Sequence, residues 1–252
     1  APPTPESTSS NTYIPAGRFL AGYDFISSNA GALPADFVAN DGDGRDADPS
    51  DPGDWVTEAE EAMHASQCDD GQSGPQDSSW HGTHVAGVVA ATANNMTGIA
   101  GIGWNIRILP IRALGKCGGS LSDIAEAIRW AAGLPVPGVP TNATPAQVIN
   151  LSLGGGSTCS GPLKDAVDAA IAAGSVVVVA TGNEGEVGLS SPANCSGVIA
   201  VTAHTINGEN ADYANIGPPG GDLGMPGGVD AQPTISAPGG AEPRGRRRSG
   251  AR

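Results

Sequence analysis

The sequence predicts an α/β protein built on a parallel sheet, and three observations carry the prediction. Short apolar runs alternate with helical patterns, as in VINLSL (148–153), GPLKDAVDAAIAAG (161–174), SVVVVAT (175–181) and GVIAVTA (197–203). The four consecutive valines suit a strand buried on both faces, and short links between such runs give right-handed βαβ units. Finally, 33 of the 46 Leu, Ile, Val and Phe residues lie between Val85 and Ile206. That concentration answers the disorder flag raised by a net charge of −14 and a Leu, Ile, Val and Phe content of about 18%.

Taken in order, residues 1–18 begin APPTPESTSSNT and read as a flexible lead-in, because they hold almost nothing to bury. FLAGYDFI (19–26) is apolar and predicts a short strand. NDGDGRDADPSDPGDW (40–55) holds six Asp, three Gly and two Pro, which excludes helix and strand. HGTHVAGVVAATANN puts Val85, Val88 and Val89 on helical spacing from residue 81. NIRILPIRAL (105–114) is β-rich but broken by Pro110. LSDIAEAIRWAAG (121–133) puts Ile124, Ala127, Ile128 and Ala131 on one helical face and stops at Gly133. GPLKDAVDAAIAAG opens with Pro in its first turn and closes on Gly, as helices prefer. After residue 204 the pattern fades to loop, apart from a possible short strand in TISAPGG (234–240).

Composition also excludes functions. With two lysines and a strongly acidic body, the chain has no clustered cations for bulk nucleic-acid binding. Its one basic cluster is Arg244, Arg246, Arg247, Arg248 and Arg252. The longest uncharged apolar stretch, around 169–179, is too short for a membrane span. The chain starts Ala-Pro-Pro, which reads as a mature, trimmed or recombinant product. Cys68, Cys117, Cys159 and Cys195 form an even set without a CxxC pair, read as two disulfides of a secreted protein. Chain order favours Cys68 with Cys117 and Cys159 with Cys195, although three connectivities are open.

Three segments can carry chemistry. His81 begins the HGTHVAG segment at a loop-to-helix junction, where an imidazole projects freely and can act as a general base. A lone His is more often structural, and His81 with His84 is a weak metal pattern without a third ligand. Asn183, in ATGNEG, follows the valine strand at the end of the sheet where ligands bind. Its amide can point at a developing oxyanion, and its plain reading is a turn residue. Ser152, Leu153 and Gly154 follow another strand, and such an edge can pair with an extended peptide. Its plain reading is a Gly-rich turn.

Together, HGTHVAG, INLSLGG and ATGNEG, in this order, resemble the subtilisin-like serine proteases over roughly residues 20–240. The resemblance implies a three-layer α/β/α fold and endopeptidase hydrolysis through an acyl-enzyme. It implies that His81 is the general base and Asn183 the side-chain donor of the oxyanion hole. It implies that Ser152, Leu153 and Gly154 pair with a polypeptide substrate. The expected protein is secreted, monomeric, and bound to neither membrane nor nucleic acid.

The sequence departs from that family at two places. The family's Asp, in a strand and followed by Thr-Gly or Ser-Gly, should precede GYDFI, yet residues 1–18 hold no Asp. Asp24 lacks that sequel and is not assigned. Gly-Thr-Ser-x-Ala-x-Pro, which should open a long buried helix, is absent, and Ser249 has no Gly-Thr before it. The expectation is therefore a partial peptidase domain over 19–240, lacking the first Asp-bearing strand and the Ser-bearing helix, and inactive by itself. The Arg-rich stretch 241–252 is expected to be an aberrant tail, as from a shifted reading frame. The alternative is a non-catalytic secreted module that binds peptide or calcium. Asp41, Asp43, Asp46 and Asp48 share one Gly-rich loop that can offer oxygens to calcium, with Asp51 and Asp54 close by.

Overall fold

A computed structural model describes residues 13–27, 33–68, 75–155, 158–217 and 235–238. The chain divides into two compact units, residues 1–127 and 128–252. The tail 241–252, Ser249 and residues 1–12 of the lead-in lie outside the described residues.

In the first unit the FLAGYDFI run yields β1 (Tyr23–Asp24), and β2 (Ile111–Arg112) pairs with it in parallel. The pairing is shorter than the 105–114 run suggests because Pro110 has no N–H to give the ladder. Its carbonyl still accepts from Tyr23 at 3.3 Å. Two helices here have no counterpart in the expectation. α1 (Ala35–Ala39) closes on Asn40 in the left-handed region. α2 (Glu58–Cys68), kinked at His64, opens on a capping box. The Thr57 N–H donates to Glu60 Oε2 at 2.8 Å and the Glu60 N–H to Thr57 Oγ1 at 3.3 Å. Thr57 followed three residues later by Glu60 is a legible helix start that the acidic surroundings obscured. α3 (His81–Ala90) begins at the expected residue.

The core of this unit gathers Ile26, Leu33, Val38, Ala39, Val56 and Cys68, with Cys117 packed against it. Each fully buried large side chain contributes about 1.5–3 kcal/mol. The Cys68–Cys117 disulfide, with Cα atoms 4.5 Å apart, closes that cluster. Residues 13–18, expected within the lead-in, are instead pinned. Ile14 is buried. Arg18 donates to the carbonyls of Ile106 (2.8 Å), Ala90 (2.7 Å) and Gly103 (3.0 Å). A guanidinium with five donors can satisfy several orphan carbonyls at once, Ala90 at the end of α3 among them.

α4 (Leu121–Ala131) buries Ile124, Ala127, Ile128 and Ala131, the face its spacing predicts, and the boundary between the units falls within it. The second unit holds β3 (Val148–Leu151), α5 (Gly161–Ala172), β4 (Val176–Ala180), β5 (Ile199–His204) and β6 (Ile235–Pro238). Its sheet is parallel throughout, in the order β3-β4-β5-β6. The register sets Ile149 beside Val177, Leu151 beside Val179 and Val179 beside Ala200, all buried on one face. α5 packs against β4 and buries Leu163, Ala166, Val167 and Ala170. The opposite face differs from the expectation of burial on both sides. Val148 and Val176, neighbours in register, remain 59% and 44% exposed. No helix among the described residues is long and apolar enough to cross a membrane.

Candidate active site

The sequence-predicted residues fall in both units. In the first, His81 is the first residue of α3, and His81 and His84 are both exposed. The turn before it is held by Asp54. The Ser79 N–H and Oγ donate to the two Asp54 carboxylate oxygens at 2.6 and 2.7 Å. The His81 N–H in turn donates to Ser79 Oγ at 3.3 Å. Trp80 between them is left-handed (φ 49°), a conformation uncommon for a bulky side chain. Gly53, beside Asp54, has φ +109°, and a Cβ there would collide with Ser78 Oγ. Asp54 therefore anchors the approach to His81, a role its place in the acidic loop does not announce. Asp54→Ala is expected to cost about 1 kcal/mol and to speed hydrogen exchange at the His81 amide. Thermal unfolding and residue-resolved exchange check both.

The acidic loop is organised around arginines. Asp24 is fully buried: its Oδ1 accepts from the Ile26 N–H at 2.7 Å and its Oδ2 from Arg112 at 2.7 Å. Arg112 also donates to Asp41 at 2.6 Å and to the Ala39 carbonyl, and lies 3.7 Å from Asp51. Burial pushes the Asp24 carboxyl from 3.8 up to about 6, with the Ile26 N–H and Arg112 pulling part of the way back. Arg45 ties the loop to α4 through Asp123 (2.8 Å) and Glu126 (2.5 Å). Asp46 and Asp48 accept the N–H groups two residues on, at 2.7 and 3.0 Å, and Asp41 does the same for Asp43 at 3.3 Å. Desolvation, then the charges of Asp46, Asp41 and Asp48, raises the Asp43 carboxyl. Among the described residues no three His, Cys, Asp or Glu side chains are arranged to hold a metal ion. The expected calcium ligands Asp41, Asp43, Asp46 and Asp48 are thus not gathered into one cluster among the described residues. Asp41 is committed to Arg112, and Asp46 and Asp48 to their own turns.

In the second unit β3 is, among the described residues, the end strand of its sheet, and Ser152, Leu153 and Gly154 continue from its carboxyl end. Asn150 Nδ2 donates to Ser152 Oγ at 2.9 Å. The fold brings this segment and the Asn183 loop onto one neighbour. The Gly155 N–H donates to the Ser191 carbonyl at 2.9 Å, and the Ser190 N–H to the Thr181 carbonyl at 3.0 Å. Asn183 is exposed at the end of β4, and its N–H donates to Glu184 Oε2 at 3.0 Å. Gly182 (φ +116°) admits no side chain, since a Cβ would meet Asn215 Nδ2, Glu184 Oε2 and Ser190 Oγ. The Cys159–Cys195 disulfide, Cα atoms 5.1 Å apart, joins the segment after β3 to the one after Ser191. Among the described residues, unit two thus sets the end strand of its sheet and an exposed asparagine on loops that share one neighbour. This can hold an extended peptide and donate to an oxyanion.

Known proteins resemble this chain over most of its length. The sequence profile of the Subtilase family matches residues 21–251. The extracellular protease of Xanthomonas campestris pv. campestris is 51% identical over 211 residues, covering 83% of this chain and 34% of that protein. The extracellular basic protease of Dichelobacter nodosus is 41% identical over 202 residues, covering 80% of this chain and 32% of that protein. The chain thus spans about a third of the length of these relatives. Among solved structures, a protease from Pseudoalteromonas arctica superposes with a TM-score of 0.75 at 42% identity, over 92% of this chain and 60% of that one. The fold class is accordingly the three-layer α/β/α class built on a parallel sheet.

Proposed function

Because the chain belongs to the subtilase family, we propose that it carries part of a secreted serine endopeptidase and does not itself turn over peptide. His81 takes the role of general base, for which an exposed imidazole at a helix start is suited. Asn183 donates to the oxyanion, and Ser152, Leu153 and Gly154 pair with the main chain of a polypeptide substrate. The observation that carries the inactivity is the absence of Gly-Thr-Ser anywhere in these 252 residues. Without a serine nucleophile no acyl-enzyme forms, whatever proton His81 accepts. Asp24 does not replace the family's Asp, since Ile26 and Arg112 engage both of its oxygens.

A fluorophosphonate probe tests the reading directly. The expected result is no covalent adduct, and peptide turnover equal to that of His81→Ala. An adduct on any serine, or turnover abolished by His81→Ala, overturns the inactivity.

A further inference from the structure

Asn215 lies 32 residues beyond Asn183, outside every segment that suggested chemistry in the sequence. It is only 3% exposed, yet every polar group it owns is engaged around the Asn183 loop. Its Oδ1 accepts from the N–H groups of Glu184 and Glu186, both at 3.1 Å. Its Nδ2 donates to Glu184 Oε2 at 2.6 Å and to Ser190 Oγ at 3.3 Å. Its N–H donates to the Gly182 carbonyl at 3.1 Å. Its carbonyl accepts from Thr181 Oγ1 and Thr202 Oγ1, both at 2.9 Å. Asn215 thus holds residues 181, 182, 184 and 186, on both sides of Asn183. The Asn183 N–H donates to the Glu184 oxygen that Asn215 Nδ2 also binds.

We propose that Asn215 is the positioning residue of the loop that presents Asn183. The reason is chemical. A carboxamide offers an acceptor and two donors on one planar group. Its acceptor captures two loop N–H groups while its donors hold the Glu184 carboxylate. A carboxylate would keep the first interaction and lose the second, facing Glu184 with like charge. An aliphatic side chain of similar volume would leave two N–H groups without their partner. Gly182 completes the device, since any side chain there would occupy the space taken by the Asn215 amide. The meaning for catalysis rests on Asn183 as oxyanion donor, whereas the positioning itself does not.

Hydrogen exchange of the full 252-residue chain, resolved by residue, tests this without turnover, so a fluorophosphonate adduct would leave it standing. In Asn215→Leu the Glu184 and Glu186 amides, which lose their acceptor, and the Asn183 amide, whose Glu184 acceptor is released, are expected to exchange about tenfold faster. The β4 and β5 amides should keep their rates. In Asn215→Asp the Glu184 and Glu186 amides should return to parental rates while Asn183 stays fast. That split separates positioning from simple packing. Exchange within twofold of the parent in Asn215→Leu overturns the proposal. So does an Asn215→Asp variant in which all three amides stay fast over an intact sheet. If β4 and β5 lose protection in both variants, Asn215 is a core residue only, and the proposal also falls.

Discussion

Replacing Arg112 with Met is expected to lower stability at pH 7 by about 3–5 kcal/mol, the cost of removing one partner from a buried ion pair. Arg112 is nearly buried, and its fork is shared by Asp24, Asp41 and the Ala39 carbonyl. Without it, the fully buried Asp24 carboxylate keeps the Ile26 N–H as its one donor among the described residues. Met matches the volume and supplies no charge. The double variant Asp24→Leu with Arg112→Met should recover a large part of the loss, because the buried charge goes with its partner. Asp41 and Asp51 are wet enough to stand alone, with side chains 23% and 38% exposed. Urea unfolding midpoints of the two variants and the parent decide it. A double variant as unstable as the single one would refute this account.

The same group sets a pH dependence. Asp24 titrates near 6 in the folded chain against 3.8 as an ordinary side chain. Its folded value is the higher one, so its contribution to stability is complete below about pH 4 and is lost as pH rises through about 6. The loss is roughly 3 kcal/mol, taking 1.36 kcal/mol per unit. Glu60 works in the opposite direction. The hydrogen bonds from Lys116 and from Thr57 outweigh its desolvation and lower its carboxyl, so its contribution is lost on acidification. The deficit of Arg112→Met should therefore shrink between pH 7 and pH 5, as Asp24 takes up its proton in the parent too. A deficit unchanged over that range would show that Asp24 ionisation plays no part.

Removal of either disulfide is the second large effect. Cys68–Cys117 and Cys159–Cys195 close segments with sequence separations of 49 and 36. Constraining the unfolded chain over such loops is worth about 4 kcal/mol each in the chain-entropy account. The paired Cys→Ser variants are expected to lose that much, the first by a few tenths more because its loop is longer. Guanidinium unfolding with and without reductant measures it. A reductant that leaves the midpoint unchanged would mean that the crosslinks add nothing. The local consequences differ: Cys68–Cys117 sits against a hydrophobic cluster, whereas Cys159–Cys195 ties the segment after β3 to the one after Ser191.

Much of the arrangement was legible because it follows from local rules. The valine run at 175–181, the Pro-opened helix at 161–174 and the apolar face of 121–131 appear as β4, α5 and α4. His81, Asn183 and Ser152–Gly154 lie at the element ends that their motifs imply. Periodicity and turn chemistry act over a few residues, so a single sequence displays them. The short β1–β2 pairing departs from the reading because Pro110 withdraws a donor. The half-open face of the valine sheet departs because burial on a second face depends on what packs there, which no run of valines encodes.

By itself the sequence determined the α/β class, the motifs of the family, the acidic character of one loop and the absence of Gly-Thr-Ser. Only the tertiary structure decided what the acidic residues do. Asp41 answers Arg112, Asp54 braces the turn before His81, and Asp24 is an internal anion rather than a reacting one. It alone revealed Asn215 as the hub behind Asn183, across a separation of about 30 residues. The physical reason is common to all of these. A carboxylate or carboxamide takes its role from the donors that surround it once water is excluded. Chain closure can bring those donors from anywhere in the sequence.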